Sequence, residues 1–169
     1  MKFTTACLLG GLLVSGNVSA EIVEASATHY VLRHEATSTL SADALWDRLV
    51  DPASWWHPEH TYSGNAANLS LDLKPGGLWS ETWEGGAVSH GTVVLVVDGS
   101  TLQLNAPFGP LLAAGAHTIW TITVTPSDSG STVVFDEVSS GPPSAALDKL
   151  AAAVDYVKSE AIARLTSAQ

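Results

Sequence analysis

The stretch SWWHPEH, residues 54–60, places two tryptophans beside two histidines and one glutamate. Imidazole and carboxylate groups transfer protons and bind metal ions, whereas a tryptophan offers a large apolar face with a single N–H donor. Three interpretations are therefore open: a metal site, an acid–base site, or the entrance of an apolar pocket. Because Trp55 and Trp56 are adjacent, they point in different directions on a regular backbone, and we expect only one of them to face such a pocket.

A metal site would need more ligands than this stretch supplies. His57, Glu59 and His60 would have to be joined by a distant side chain. The available candidates for that ligand are Glu81, His90 and His117. The chain also lacks a P-loop, a dinucleotide fingerprint, a G-x-S-x-G elbow and an HExxH motif. We therefore expect no metal and no cofactor, so that any catalysis would be acid–base chemistry by histidine and glutamate.

A second group of candidates lies in the strand-like segment LWSETWE, residues 78–84. Its period of two places Trp79, Glu81 and Trp83 on one face. If that face points inward, burial raises the pKa of the Glu81 carboxyl and suits it to acid–base chemistry. In the alternative arrangement, Glu81 faces solvent and the inward side chains are Leu78, Ser80 and Thr82.

These patterns define two sets of candidate residues. The candidate acid–base residues are His57, Glu81 and His90. The candidate ligand-binding residues are Trp55, Trp56, His57, Trp79, Trp83, His90 and Trp120. On the first strand, Arg33 and His34 are adjacent, so one of them must point inward. Arg33 could pair with a ligand carboxylate or, as we expect, with an internal glutamate. In a later strand, His117 and Trp120 fall on opposite faces.

The elements that position these residues can be read from hydrophobic period and turn residues. A strand is predicted over residues 23–40, followed by a helix that Ser41 caps and that buries Leu45, Trp46, Leu49 and Val50. A short turn follows Pro52, and six strands with glycine-containing turns follow from Ala66 onward. The last segment has apolar residues every three or four positions and predicts a helix of about six turns that begins near Ser144 and ends near residue 166.

The N-terminal residues 1–20 are typical of a signal peptide. Lys2 precedes an apolar run over residues 6–14, and the small residues Val18-Ser19-Ala20 predict cleavage after Ala20. The apolar run is far shorter than the roughly 20 residues that span a bilayer. We therefore expect a single periplasmic or secreted domain over residues 21–169. That domain would contain no cysteine, because Cys7 is the only one in the chain.

The charge of the chain limits its partners. The formal net charge is −10, with 7 basic and 17 acidic residues, and the predicted cleavage removes one of the basic residues. Such a chain repels nucleic acid and anionic membrane surfaces. We therefore expect neither nucleic-acid binding nor a membrane span, and nothing in the sequence indicates an oligomeric state.

Several segments resemble the START-like superfamily, also called SRPBCC or helix-grip proteins. The resemblance covers residues 25–166 and is carried by SADALWDRLVDPASWWHP, KPGGLWSETWEGG, GTVVLVVDGSTLQL, TIWTITVTPSDSGSTVVF and the C-terminal helix. The pattern is most similar to the subgroup of heat-shock-protein ATPase activators and polyketide cyclase-like proteins. It implies an α+β helix-grip fold, in which a curved antiparallel sheet of about seven strands wraps a long C-terminal helix, with one or two short helices after the first strand.

The resemblance implies a cavity between sheet and helix that takes a small hydrophobic ligand, aromatic or lipid-like. Two alternatives stay open because this superfamily hosts many activities. One is a cofactor-free cyclase, dehydratase or hydrolase that uses the same cavity. The other is a protein-interaction module with an outward tryptophan patch. An exported chain meets no cytosolic chaperone, so we expect no such partner.

Overall fold

The computed structural model describes residues 18–167 of the 169-residue chain. Most of the predicted signal peptide, residues 1–17, lies outside this range. In chain order the helices and strands are β1 (Val18–Ser26), β2 (His29–Ser38), α1 (Ala42–Leu49), β3 (Leu69–Leu71), β4 (Leu78–Trp83), β5 (Gly86–Val97), β6 (Thr101–Asn105), α2 (Pro110–Ala113), β7 (His117–Ser127), β8 (Gly130–Ser140) and α3 (Leu147–Thr166). Short 3₁₀ turns occupy Pro52–Ser54, Pro58–His60, Ala66–Asn68 and Pro143–Ala145.

The strands form one antiparallel sheet in the order β1-β2-β8-β7-β6-β5-β4-β3. Strands β3 to β8 follow one another as a meander, and β2 pairs with β8 to bring the N-terminal hairpin alongside. Helix α3 packs across β1, β2 and β8. The fold is therefore α+β, an open antiparallel sheet with a long C-terminal helix in a helix-grip arrangement, as the sequence predicts.

The sheet has eight strands because the first predicted strand is a hairpin. The prediction of one strand over residues 23–40 is wrong, since the chain turns at Ala27-Thr28 and β1 pairs back along β2. Neither turn residue is glycine, proline or asparagine, so the usual turn signal is missing. The Ser26 hydroxyl supports the turn by donating to the carbonyl of His29 at 3.2 Å. The predicted cleavage point after Ala20 falls within β1.

An aromatic cluster fills the space between the sheet and the loop after α1. Trp55, Trp79, Trp120 and Phe135 are fully buried. Trp120 contacts Phe135 edge to face with 5.0 Å between ring centroids, and Trp79 lies 5.7 Å from Trp120. Such pairs add about 0.5–1.5 kcal/mol each beyond the area that they bury. The cluster therefore forms a closely packed aromatic core behind any site on this side of the sheet.

Helix α1 begins where the sequence predicts it. The Ser41 hydroxyl accepts a hydrogen bond from the Ala44 N–H at 3.2 Å. Leu45, Trp46 and Leu49 are buried. Among residues 18–167, no helix is long and apolar enough to cross a membrane.

Helix α3 begins later than the sequence predicts. Residues 143–145 form a 3₁₀ turn, and Ala146 adopts a left-handed conformation with φ of 48°, so α3 begins at Leu147. The Leu147 N–H then donates to the carbonyl of Ala27 in the β1–β2 turn at 3.0 Å. This bond to the first hairpin fixes the start of the helix, and Ser144 does not cap it.

The two serines provide a matched test of helix capping. We expect Ser41→Ala to lower the free energy of unfolding by about 1 kcal/mol, since it removes the acceptor of an N-cap hydrogen bond. We expect Ser144→Ala to change it by less than about 0.5 kcal/mol, because an exposed serine away from such a contact contributes little. Urea unfolding of both variants checks the pair. An equal loss in the two variants would contradict the assignment.

Candidate functional site

A pocket of about 320 Å³ opens between the sheet, helix α3 and two loops. Its wall is mainly apolar, and its polar members are two histidines, Thr61, Tyr62 and one buried charged pair. The lining residues are Trp56, His60, Thr61, Tyr62, His90, Phe108, Gly109, Pro110, Leu111, Glu137, Leu150, Ala153, Val154, Val157 and Lys158. The volume lies at the lower end of the range for small-molecule sites, about 300–1,000 Å³.

The Trp-Trp pair divides between the pocket and the core. Trp56 lies in the pocket wall, stacks on Phe108 with 5.5 Å between ring centroids, and donates through Nε1 to the His60 carbonyl at 3.1 Å. Trp55 is fully buried and donates through Nε1 to the Leu49 carbonyl at 3.2 Å. One of the two rings therefore faces the pocket and the other anchors the loop to α1.

The other predicted ligand-binding residues lie at different distances from the pocket. His90 is in the wall, whereas Trp79 and Trp120 lie behind it in the aromatic cluster. Trp83 is half-buried at the β4–β5 turn, where its ring covers Gly86. His57 is outside the wall, and its Nδ1 accepts the Glu59 N–H at 3.1 Å, which caps the turn over residues 58–60. None of the tryptophans, all of which lie in the described range, is exposed.

Glu81 points inward, so the alternative arrangement of β4 is wrong. Its side chain is fully buried on the same face as Trp79, whereas Leu78 and Thr82 are exposed. The carboxylate accepts three hydrogen bonds: from the N–H of Tyr62 at 3.0 Å, the N–H of Ser63 at 2.5 Å and His90 Nε2 at 3.0 Å. The carboxylate therefore holds the loop over residues 61–63 against the sheet.

The hydrogen bonds on Glu81 reverse the expected direction of its pKa. Burial raises the pKa of the carboxyl. The hydrogen bonds from Ser63, Tyr62 and His90 lower it by more than burial raises it, so the pKa lies below its ordinary value. Burial also lowers the pKa of His90, although the carboxylate opposes this. At neutral pH the pair is therefore a carboxylate beside a neutral imidazole.

The charge state of the pair fixes the tautomer of His90. A carboxylate can only accept hydrogen bonds, so His90 Nε2 carries the proton that it donates to Glu81. The other ring nitrogen, Nδ1, then has a free lone pair and makes no hydrogen bond to any described residue. The ring stacks on Phe108 in the pocket wall, with 5.4 Å between centroids. His90 can therefore accept a hydrogen bond or a proton from a molecule in the pocket.

A second histidine–carboxylate pair lies at the pocket rim. His60 Nε2 and Glu160 Oε2 are 2.7 Å apart, which links the loop after Trp56 to α3. The hydrogen bond from His60 lowers the pKa of Glu160. Across residues 18–167, no three histidine, aspartate or glutamate side chains come close enough together to hold a metal ion. The His57, Glu59 and His60 triplet therefore does not form a cluster in this structure.

On β2, the inward residue is His34. It is fully buried, and its Nε2 lies 2.9 Å from Asp155 Oδ1 of α3. Burial lowers the pKa of His34, although Asp155 opposes this. Arg33 is on the outer face and pairs with Asp136 at 2.7 Å and Glu35 at 3.3 Å. The expected internal partner for Arg33 is therefore wrong, because the register of β2 turns the guanidinium to solvent.

A buried charged group in the pocket wall is not among the residues that the sequence patterns indicate. Tyr30, Glu137 and Lys158 come from β2, β8 and α3, and all three are buried. The Tyr30 hydroxyl donates to Glu137 Oε1 at 2.6 Å. Lys158 Nζ lies 2.8 Å from Glu137 Oε2, so the two form a buried ion pair. We refer to these three residues as the buried triad.

Burial makes the positive charge of Lys158 less favourable than that of an exposed lysine, although aromatic faces partly offset this. Nζ lies 3.0 Å from the centroid of the Trp120 ring and 4.8 Å from that of Phe108. Burial lowers the pKa of Lys158 to about 8, although Glu137 opposes this. Burial beside Glu137 also raises the pKa of Tyr30, so its hydroxyl stays protonated. The wall thus contains an amine that is much easier to deprotonate than an exposed lysine.

Comparison with known proteins shows the fold and nothing finer. No protein-family model and no curated protein matches the chain. A solved protein from Rhodobacter sphaeroides superposes with a TM-score of 0.57 at 20% identity, over 88% of this chain and 96% of that one. One from Mesorhizobium loti has a TM-score of 0.55 at 17% identity, over 80% and 93%.

A third solved structure, described as a conserved protein of unknown function from Enterococcus faecalis, has a TM-score of 0.56 at 12% identity. That alignment covers 88% of this chain and 74% of the other. At such identities the similarity identifies a shared fold and no shared activity. The chain thus has a sheet-dominated α+β fold that these bacterial proteins share and that is compatible with the helix-grip fold.

Proposed function

We propose that this chain is an exported START-like (SRPBCC) domain that binds a small hydrophobic molecule, aromatic or lipid-like, between its sheet and helix α3. The observation that carries the proposal is the pocket of about 320 Å³ with a mainly apolar wall. Small-molecule sites are typically concave clefts with mostly apolar walls and a few polar groups. An apolar space of this size, bounded by aromatic rings, therefore favours a ligand.

The wall supports binding by burial of apolar surface. Trp56 and Phe108 present aromatic faces, and Leu150, Val154 and Val157 of α3 present aliphatic ones. Each square ångström of apolar surface removed from water contributes roughly 25 cal/mol, less the cost of ordering the ligand. The polar groups of His90 and Lys158 provide a few directional contacts, which is typical of pockets that select one orientation of an apolar molecule.

A pocket-filling variant tests the proposal directly. Val154 lines the pocket, so we expect Val154→Phe to occupy part of the space and weaken binding of an apolar ligand by at least about tenfold, which corresponds to 1.4 kcal/mol. Ala152 is on the exposed side of α3 and provides the control, because Ala152→Phe adds a ring away from the pocket. Titration calorimetry of both variants with a panel of aromatic and fatty molecules measures the difference.

The proposal fails if the two variants bind alike. It also fails if the unmodified chain, stripped of bound molecules, binds no member of the panel. A thermal unfolding curve for each variant establishes that the added ring leaves the domain folded.

The Glu81–His90 pair favours a second candidate function, cofactor-free acid–base catalysis on the bound molecule. The carboxylate orients a neutral imidazole whose Nδ1 has a free lone pair, which is the arrangement of a general base. A cyclase, dehydratase or hydrolase reaction would need this group in the wall. A difference between the molecule supplied and the molecule recovered from the pocket distinguishes catalysis from carriage.

A further inference from the structure

We propose that Lys158 is a carbonyl-reactive amine and that the pocket takes an aldehyde or ketone, which it holds as a Schiff base. This inference rests on the proposed ligand pocket and names the chemical class of its ligand. It concerns the buried triad, which the proposed hydrophobic binding does not require.

The position of Lys158 is unusual for a lysine that only stabilises the fold. Lys158 and Glu137 both line the pocket, so a molecule there lies against them. Lys158 is 2% exposed, and within the described residues its three N–H donors have one ion-pair partner, Glu137 at 2.8 Å. A buried ammonium without full hydrogen bonding is costly, whereas a neutral amine or its imine is much less so.

The neighbouring groups favour the reactive form of the amine. The titratable groups around Lys158 are Tyr30 and His34 of β2, Glu137 of β8 and Asp155 of α3. Because desolvation outweighs the attraction to Glu137, the pKa of Lys158 falls to about 8. A measurable fraction of the side chain is then a neutral nucleophile near neutral pH. A desolvated lysine in an apolar pocket is a known route to Schiff-base chemistry.

The reaction balances with the groups already present. Glu137 Oε2, 2.8 Å from Nζ, accepts a proton from the ammonium, and the nitrogen lone pair then attacks the carbonyl carbon. The C–N bond forms as the carbonyl π bond breaks, and a proton passes from the nitrogen to the new alkoxide oxygen, which gives a carbinolamine. Protonated Glu137 returns its proton to the hydroxyl group, and the C–O bond breaks as the nitrogen lone pair forms the C=N bond, so that water leaves. One ammonium and one carbonyl compound therefore yield one iminium ion and one water, with no oxidant or reductant.

The same surroundings fit the product. The iminium ion keeps one positive charge on the Lys158 nitrogen, so the ion pair with Glu137 and the contact with the Trp120 ring are retained. A carboxylate ligand would instead bring a second negative charge close to Glu137. The triad therefore favours a neutral carbonyl group over an acid of the same skeleton.

Reductive trapping tests the inference on the intact chain. The protein is incubated near pH 8 with 2-naphthaldehyde and sodium cyanoborohydride, and the modified residues are mapped by peptide mass spectrometry. Each adduct adds the mass of the aldehyde less one oxygen atom, because the imine loses water and gains two hydrogens. Lys74 and Lys149 are exposed lysines of the same chain and serve as internal controls.

We expect Lys158 to be modified at least about tenfold faster than Lys74 and Lys149, because its amine is less protonated and the pocket concentrates the aldehyde. In Lys158→Arg the positive charge stays but the adduct at this site is lost. If that variant does not fold, the mapping in the unmodified chain alone decides. Modification confined to Lys74 and Lys149, or equal at the three sites, overturns the inference.

Two further probes separate failure of this inference from failure of the proposed function. 2-Naphthylmethanol has the same ring system without a carbonyl, and 2-naphthoic acid has a carboxylate. Binding of the alcohol without an adduct from the aldehyde leaves the pocket in place and overturns the role of Lys158. Tighter binding of the acid than of the aldehyde, again without an adduct, also overturns that role. If none of the three binds, the pocket fails as well.

Discussion

Glu137→Leu should lower the free energy of unfolding by about 3–5 kcal/mol, the range for removing one partner of a buried ion pair. The change leaves Lys158 in an apolar environment without its counter-charge and the Tyr30 hydroxyl without its acceptor. Most of the loss is therefore the cost of the groups left behind rather than the strength of the pair itself. Urea unfolding at pH 7 measures it.

Asp136, which directly precedes Glu137 in the same strand, provides the control. Asp136 pairs with Arg33 on the outer face of the sheet, where both side chains are about half exposed. We expect Asp136→Ala to cost at most about 1 kcal/mol, as exposed ion pairs do. The double variant Glu137→Leu, Lys158→Met should recover much of the single loss, because it removes both buried charges. Equal, small losses in Glu137→Leu and Asp136→Ala would contradict the described burial of the triad.

Glu81→Ala should lower the free energy of unfolding by about 2–4 kcal/mol, since it leaves one buried donor without an acceptor, at a cost of about 1–3 kcal/mol, and two partly buried donors that cost less. The donors affected are the N–H groups of Tyr62 and Ser63 and the His90 ring. Glu84, which follows β4 at the hairpin turn, is exposed and gives the control. We expect Glu84→Ala to change stability by no more than about 0.5 kcal/mol.

Glu81 and His90 also predict how acid destabilises the domain. The folded-state pKa of Glu81 is lowered, so its contribution is present above the ordinary pKa of 4.5 and is lost as the pH falls through the folded value. The pKa of His90 is lowered from 6.5, so below pH 6.5 the unfolded chain binds the proton more readily and stability falls. Between pH 6 and pH 3, urea unfolding should show a smaller loss of stability in the double variant Glu81→Gln, His90→Gln than in His90→Gln alone, a background that removes the titration of His90. An identical loss would contradict the described carboxylate.

The sequence predicts elements whose signals are local. Helix α1 follows from the Ser41 cap and the spacing of Leu45 and Leu49, and the later hairpins follow from their glycine turns. The turn at Ala27-Thr28 escapes prediction because neither residue marks a turn, and its bond to Leu147 depends on a segment far along the chain. The late start of α3 escapes prediction for the same reason, because it depends on the hydrogen bond between Leu147 and the distant residue Ala27.

The candidate site is predicted only in part because it depends on distant contacts. The period of β4 places Glu81 beside Trp79, but only the fold brings in Tyr62 and Ser63, whose N–H groups lower its pKa instead of letting burial raise it. A signal for the triad is present in the sequence. Glu137 alternates with Phe135 on β8, and Lys158 lies between Val154 and Ile162 at core spacing of α3. Two charges at inward positions of separate elements indicate a buried pair.

The pocket itself has no local signal. Whether a space stays open depends on how side chains from distant segments meet. Trp79 and Trp120 fill the core behind the wall, whereas Leu150 and Val154 of α3 leave a gap in front of Phe108. Tryptophan content therefore predicts an aromatic environment but cannot say which rings face a ligand.

Native mass spectrometry of the chain isolated gently from its own cells tests whether the pocket holds a small hydrophobic molecule. We expect a bound molecule in the unmodified chain and in Ala152→Phe, its absence in Val154→Phe, and a shift of tryptophan emission when it is removed. An unmodified chain without a bound molecule, whose emission stays unchanged with every aromatic and fatty molecule tested, would contradict this expectation.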